Sequence, residues 1–330
     1  MTTDAPSEPG FLLPLNHPLT FSRIRQGTIV RPMSPFGTYW KSSSLLADAA
    51  YVVRDDLIFT ACHFDNDAHE DEYYTEHDEP TPEEIRLLAS LALPIGIDRG
   101  FMAQYPHTTS IRIAEVRPLD DPHFLQEIET KLRSALGSAN DGPRTDAPLP
   151  PSPYNHFHWP LPITVHRQVY AAIDPHNHLL IRGLGTWLKG AQLHCHQSFA
   201  EEANYPLWIS LDASQAIVFE ELRATGLANP TSLDAQNYIH DAFGEERSGL
   251  KYFEEFYEDR IMTIHPQNRF GIFGFAPLGH DEFYWLHNGL REVFRYLLLE
   301  SVIDPQAEHD TEEFWADMQA RAGKQVPPHA

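Results

Sequence analysis

Arg260 and His265 are two side chains whose types and spacing suit chemistry on a phosphate. Four residues separate them, and the following Pro266 disfavours helical backbone at His265, so its imidazole is predicted to cap a helix. A guanidinium can hold a phosphate through two hydrogen bonds, and an imidazole exchanges protons near neutral pH. The pair is compatible with a phosphate site, but about one such spacing is expected by chance in a chain with this many Arg and His residues, so the spacing alone predicts none. The structural alternative is that Arg260 pairs with Glu255 or Glu258 and that His265 only caps the helix.

The 19 histidines of the chain also invite a metal-binding interpretation. Closely spaced candidate ligands are His156, His158, His176, His178, His194, Cys195 and His196. However, the sequence contains neither an HExxH motif nor a CxxC pair, and a zinc site needs ligands that converge. Surface or helix-capping histidines are the favoured interpretation and zinc the alternative. We accordingly predict no metal site and no cofactor.

Motifs for nucleophilic catalysis or nucleotide binding are weaker. The chain has no GxSxG, Walker or strand-associated GxGxxG motif. Gly183 and Gly185 interrupt a helical pattern, where they are predicted to let helices approach closely. Cys62-His63 and Cys195-His196 are adjacent pairs, and adjacency does not bring a thiol and an imidazole face to face. A cysteine hydrolase is therefore disfavoured.

The elements that must position these residues differ between the two halves of the chain. In the first half, short β-branched runs predict strands and longer periodic runs predict helices. The predicted strands are 28–30, 51–53, 57–60 and 109–116, and the predicted helices are 81–93 and 121–136. Residues 1–136 are therefore interpreted as an α+β or mostly β domain of unknown role.

A proline-rich linker and a helical bundle are predicted for the second half. Residues 137–162 have no apolar period and are rich in Pro, Gly, Ser, Asp and Asn, which is typical of a linker. Helical periodicity then predicts five helices, beginning with an Asp174-Pro175 start signal. They cover about 175–191, 207–226, 233–243, 248–264 and 280–302. Residues 163–330 are therefore predicted to be an all-α bundle.

Charge and composition restrict the class of protein. A chain of 330 residues suggests about two domains, and a formal net charge of −23 disfavours binding of duplex nucleic acid through the bulk surface. Two cysteines indicate a reducing compartment, and no run is apolar and long enough to span a membrane. A cytoplasmic protein with no membrane partner is expected.

The segment FYEDRIMTIHP, which contains Arg260 and His265, carries a resemblance to a known family. Together with the later LREVFRYLLLES and the earlier LWISLDASQAIVFEEL, it resembles the HEPN superfamily, helical-bundle domains that include RNA-cleaving toxins and defence nucleases. The resemblance covers about residues 170–305 and leaves the N-terminal part unassigned. It implies an α+β domain followed by an all-α HEPN-like bundle, and a homodimer whose two Arg/His pairs share one cleft.

The resemblance also implies a function. It is metal-independent endoribonuclease activity of toxin or phage-defence type, with Arg260 and His265 as the catalytic residues. Basic residues of the same region are the predicted RNA or phosphate ligands, namely Lys251, Arg269, Arg291 and Arg295. RNA and a regulatory or antitoxin protein are the candidate partners. The alternative is a catalytically inactive HEPN-like module for dimerisation and protein or nucleotide binding, which Ile261 and Pro266 favour because both depart from the family pattern.

Overall fold

The chain forms an N-terminal antiparallel sheet followed by a mostly helical region, in agreement with the sequence-based expectation. The structure is a computed structural model. It describes residues 26–33, 39–40, 42–54, 57–65, 80–94, 110–139, 158–159, 161–194, 199, 201–243, 253, 260 and 280–300. No helix in these ranges has the length and apolar character needed to cross a membrane.

Five strands form the main sheet, and two short strands form a second one. The strands are β1 (Gln26–Met33), β2 (Tyr39–Trp40), β3 (Ser44–Leu45), β4 (Ala49–Val53), β5 (Ile58–Asp65), β6 (Ile111–Ile113) and β7 (His158–Trp159). The main sheet is antiparallel in the order β3-β4-β5-β1-β6. Strand β7 pairs in parallel with β2, so two residues of the predicted linker belong to a sheet.

Seven helices lie in the described part of the chain. They are α1 (Pro82–Ala92), α2 (Pro122–Ala139), α3 (Ile163–Ala172), α4 (His178–His194), α5 (Asn204–Ala224), α6 (Ser232–Phe243) and α7 (His280–Leu299). Six of the seven correspond to predicted helices, and α3 is an addition. Of the predicted helix at 248–264, the structure describes Phe253 and Arg260, and both are helical.

Local capping signals explain where several helices begin and end. Thr81 and Glu84 form a reciprocal capping box at the start of α1. At the end of α5, Gly226 has a φ of +104° and its N–H donates to the carbonyl of Arg223. Because glycine adopts positive φ without steric cost, Gly226 stops this helix where the sequence predicts.

The start of α4 differs from the predicted one by three residues. Asn177 is the N-cap, since its side-chain oxygen accepts from the N–H of Leu180. Asp174 instead caps the preceding turn through the N–H of His176. Both residue types cap helices well, and the second cap is the one that the helix uses.

The main sheet is covered by helices on both faces because successive side chains of a strand point in opposite directions. On one face, Ile29 and Cys62 pack with residues of α1 such as Leu87 and Leu91. On the other face, the strands pack with α2, and this core contains Val30, Val52, Phe59, Phe124, Ile128 and Leu132. The order of layers is therefore α2, sheet, α1.

Helix α1 is buried on two sides, since its far side belongs to the core of the helical region. Ile85, Leu88 and Ala92 pack with residues of α4 such as Leu184 and Leu188. A helix that is apolar around most of its circumference is buried in this way. The sheet and the bundle therefore share α1 as a common layer.

A buried ion pair ties α1 to the sheet. The Nε atom of Arg31 in β1 donates to Oε1 of Glu84 at 2.6 Å, and the side chains are 1% and 3% exposed. The other carboxylate oxygen of Glu84 accepts from the N–H of Thr81 in the capping box. One carboxylate thus neutralises a buried charge and starts a helix.

Close helix packing in the bundle depends on Gly183 and Trp187 of α4. A Cβ atom at Gly183 would lie 2.8 Å from Cζ of Phe294 and 3.2 Å from Cβ of Ala213, so the glycine permits close approach of α5 and α7. Trp187 is 1% exposed and its Nε1 donates to the carbonyl of His287 at 3.0 Å. The predicted packing role of Gly183 is confirmed.

Candidate functional site

Arg260 contacts α5 through an ion pair with Asp212. Its Nη1 atom donates to both carboxylate oxygens of Asp212, at 2.5 and 2.7 Å. The side chains remain 31% and 49% exposed, so water reaches both partners. The guanidinium therefore lies at the surface of the helical region and already binds an oxyanion group.

Phe253 is the other described residue of the segment that contains Arg260. It is 4% exposed and lies in the core of the helical region. His265, Lys251 and Arg269 lie outside the described residues, as do Glu255 and Glu258.

Asp212 was not among the residues predicted from the sequence, although the sequence contains a signal for it. It is the only charged residue in the run from Leu207 to Val218, which otherwise supplies the apolar side of α5. Its neighbours Leu211 and Ala213 are buried, whereas Asp212 is exposed. A lone charge in such a run marks a position that faces away from the core and is available to a partner.

Arg291 and Arg295, two of the predicted RNA ligands, are buried around Glu292 in α7. Their side chains are 3% and 4% exposed. The Nε atom of Arg291 lies 3.7 Å from Oε1 of Glu292, and Nη1 of Arg295 lies 3.4 Å from the same oxygen. The structure therefore brings these two arginines together inside the protein, and an RNA contact at either one stays a prediction.

Two buried histidines of the helical region, His194 and His287, stack on aromatic rings. The His194 ring stacks on Phe283 with centroids 3.8 Å apart, and His287 stacks on Trp187 with centroids 4.9 Å apart. His166 is buried, and its Nδ1 lies 3.1 Å from the carbonyl oxygen of Ser90. Across the described ranges, no three His, Cys, Asp or Glu side chains converge as metal ligands would. His156, Cys195 and His196 of the predicted metal-ligand candidates lie outside those ranges.

Cys62 is buried in the core between the sheet and α1. Burial raises the pKa of its thiol well above the usual range, and the charges of Glu84 and Glu83 raise it further. Because the thiolate is the reactive form, this cysteine is inert near neutral pH. Its environment thus agrees with the expectation that Cys62-His63 is no hydrolase pair.

Burial and, to a smaller extent, the charges of Arg291 and His194 together lower the pKa of His287 to about 3. In the unfolded chain His287 titrates near its ordinary value of 6.5, so only the unfolded chain gains this proton between pH 6.5 and about 3. We expect the free energy of unfolding to fall as the pH drops through this window. Above pH 6.5 this histidine contributes no pH dependence.

The variant His287→Phe should remove this contribution while keeping an aromatic ring beside Trp187. Between about pH 7 and about pH 5, wild type should lose on the order of 2 kcal/mol more stability than the variant. Urea unfolding at the two pH values measures the difference. Equal losses in the two proteins would show that His287 does not stay neutral in the fold.

Comparison with known proteins gives no family assignment. No protein-family model, curated protein or solved structure matches the chain significantly. The proposed function therefore rests on the residues themselves.

Proposed function

We propose that the protein is a metal-independent endoribonuclease of toxin or phage-defence type that acts as a homodimer. The observation that supports this proposal is the surface position of Arg260, whose guanidinium binds the two oxygens of the Asp212 carboxylate. Guanidinium groups bind carboxylates and phosphates with the same donors. The same side chain is therefore suited to hold a phosphodiester.

The proposed reaction divides the chemistry between two residues. His265 takes the proton from an RNA 2′-hydroxyl, whose oxygen then attacks the adjacent phosphorus. The bond from phosphorus to the 5′ oxygen of the next nucleotide breaks, which leaves a 2′,3′-cyclic phosphate and a 5′-hydroxyl that takes its proton from solvent. Arg260 stabilises the negative charge that develops on the phosphate oxygens. The role of His265 rests on the resemblance of FYEDRIMTIHP to the HEPN motif. In the homodimer, each protomer contributes one such pair to a shared cleft, and the N-terminal sheet region restrains or triggers the activity.

A second candidate function is a catalytically inactive HEPN-like module for dimerisation and protein or nucleotide binding. The burial of Arg291 and Arg295 favours it, because those two cations are withdrawn from the surface that RNA would contact. The apolar Ile261 directly after Arg260 favours it as well. In this alternative the Arg260–Asp212 contact holds two helices together.

An RNA cleavage assay in EDTA separates the two functions. Wild type should cleave a long single-stranded RNA, and Arg260→Ala should lower the rate about 100-fold or more because a charge-stabilising donor is lost. His265→Ala should lower it by a similar factor because the general base is lost. Gel analysis of the products measures each rate, and circular dichroism verifies that the variants are folded.

The matched control is Arg223→Ala, which removes an exposed arginine at the end of α5 and should leave the rate unchanged. Absence of cleavage by wild type both in EDTA and in a parallel reaction with Mg²⁺ would favour the binding module. Cleavage that survives both substitutions would exclude Arg260 and His265 as the catalytic pair. Cleavage that EDTA abolishes would indicate a metal enzyme.

A further inference from the structure

The ion pair between Asp212 and Arg260 is exposed, which makes it exchangeable. The two side chains are 31% and 49% exposed, whereas those of the Arg31–Glu84 pair are 1% and 3% exposed. Water and salt screen exposed pairs, so their net contribution to stability is small. Another anion can therefore replace Asp212 on Arg260 without unfolding the surrounding structure.

The Asp212 carboxylate engages a donor that a phosphodiester can also use. Guanidinium N–H groups donate to carboxylate and to phosphate oxygens. Both oxygens of Asp212 lie within hydrogen-bond distance of one nitrogen, Nη1 of Arg260. The carboxylate thus competes at Nη1 with any phosphate that approaches.

The charge of Asp212 also acts against any nucleic acid that approaches. The chain has a formal net charge of −23, so RNA has to be attracted by local cations against the field of the whole protein. A carboxylate in contact with Arg260 cancels one of those cations. Substitution of Asp212 by a neutral residue would therefore remove a competitor for Arg260 and, at the same position, a charge that repels RNA.

We propose that Asp212 is an internal competitor that occupies the phosphate-binding position of Arg260 and is displaced when an RNA phosphodiester binds. This inference rests on the proposed function, because it takes Arg260 to be the phosphate ligand. Asp212 therefore sets the affinity of the site for RNA and keeps it low when no strong ligand is present. Asp212 itself has no part in the bond-breaking step.

The experiment measures binding in the absence of cleavage. The probe is a fluorescent single-stranded 2′-O-methyl oligoribonucleotide, which lacks the attacking hydroxyl, and binding to the full chain is followed by fluorescence anisotropy at low salt. Asp212→Asn should tighten binding about three- to fivefold, the effect expected of one exposed ion pair. Glu220→Gln is the matched control, since Glu220 is an exposed carboxylate about 12 Å further along α5.

A double-variant cycle tests whether the effect passes through Arg260. In the Arg260→Ala background, Asp212→Asn should tighten binding no more than Glu220→Gln does, because the guanidinium for which Asp212 and RNA compete is absent. Tightening of equal size in both backgrounds would mean that Asp212 only repels RNA through its charge, and it would overturn the proposal. Weaker binding by Asp212→Asn, or no binding by any of the variants, would overturn it too.

This outcome is distinct from that of the cleavage assay. If the cycle behaves as expected and RNA is not cleaved, Asp212 regulates a binding site and the nuclease proposal fails. If RNA is cleaved through Arg260 and His265 but Asp212→Asn binds no better than wild type, the nuclease proposal stands and the competitor proposal fails.

Discussion

The substitution Glu84→Gln is expected to lower the free energy of unfolding by about 3–5 kcal/mol, because it removes the negative charge of Glu84 from its contact with the buried guanidinium of Arg31. The Arg31 side chain is only 1% exposed and cannot reach water without moving the strand. The glutamine side-chain oxygen can still accept the hydrogen bond from the N–H of Thr81, which preserves the capping box. The loss of stability is therefore attributed to the ion pair and not to the start of the helix. Urea unfolding followed by circular dichroism measures it.

Two further variants make this prediction specific. The double variant Arg31→Met with Glu84→Gln should be more stable than Glu84→Gln alone, since it removes the buried charge that the single variant leaves behind. The matched control Glu129→Gln removes a carboxylate from the exposed Arg54–Glu129 pair and should cost about 1 kcal/mol or less. Additive losses in the double variant would mean that the two side chains act independently.

The substitution Trp187→Ala is expected to cost about 3–5 kcal/mol, because it opens a cavity at the meeting point of α4 and α7. Trp187 is among the largest fully buried side chains of the described residues. The change also removes the donor to the His287 carbonyl and the ring on which His287 stacks. Thermal unfolding and urea unfolding should both show this loss of stability.

An exposed tryptophan in the adjoining helix is the natural comparison. Trp285 of α7 is 64% exposed, so Trp285→Ala should change stability by about 0.5 kcal/mol or less. The variant Trp187→Phe should fall between the two, since it keeps most of the apolar volume but loses the hydrogen bond. A small loss for Trp187→Ala would contradict the burial of this side chain at the helix junction.

The sequence predicts local elements well because their signals are local. The capping box at Thr81 and Glu84 and the terminating Gly226 each specify a helix end with neighbouring residues alone. Helix α3 was missed because it begins directly after Pro162 without a side-chain cap, at the end of a proline-rich run. A helix without a start signal is recognised only through what it packs against.

Tertiary partners are harder to predict, and the candidate site shows why. For Arg260 the sequence suggests acidic residues of its own helix, because periodicity relates only residues within one element. The structure adds a contact with Asp212, which lies 48 residues earlier in the chain, whereas Glu255 and Glu258 lie outside the described residues. The burial of Arg291 and Arg295 was also missed, since a charged side chain is expected to face solvent unless its partner is known.

The two-sided burial of α1 has a consequence for any attempt to work with the helical region in isolation. A truncation that begins at residue 163 removes Ile85, Leu88 and Ala92 and uncovers the apolar surface of α4 that they protect. Newly exposed apolar surface of this kind favours aggregation. We therefore expect that a fragment containing Arg260 needs α1 to cover this surface.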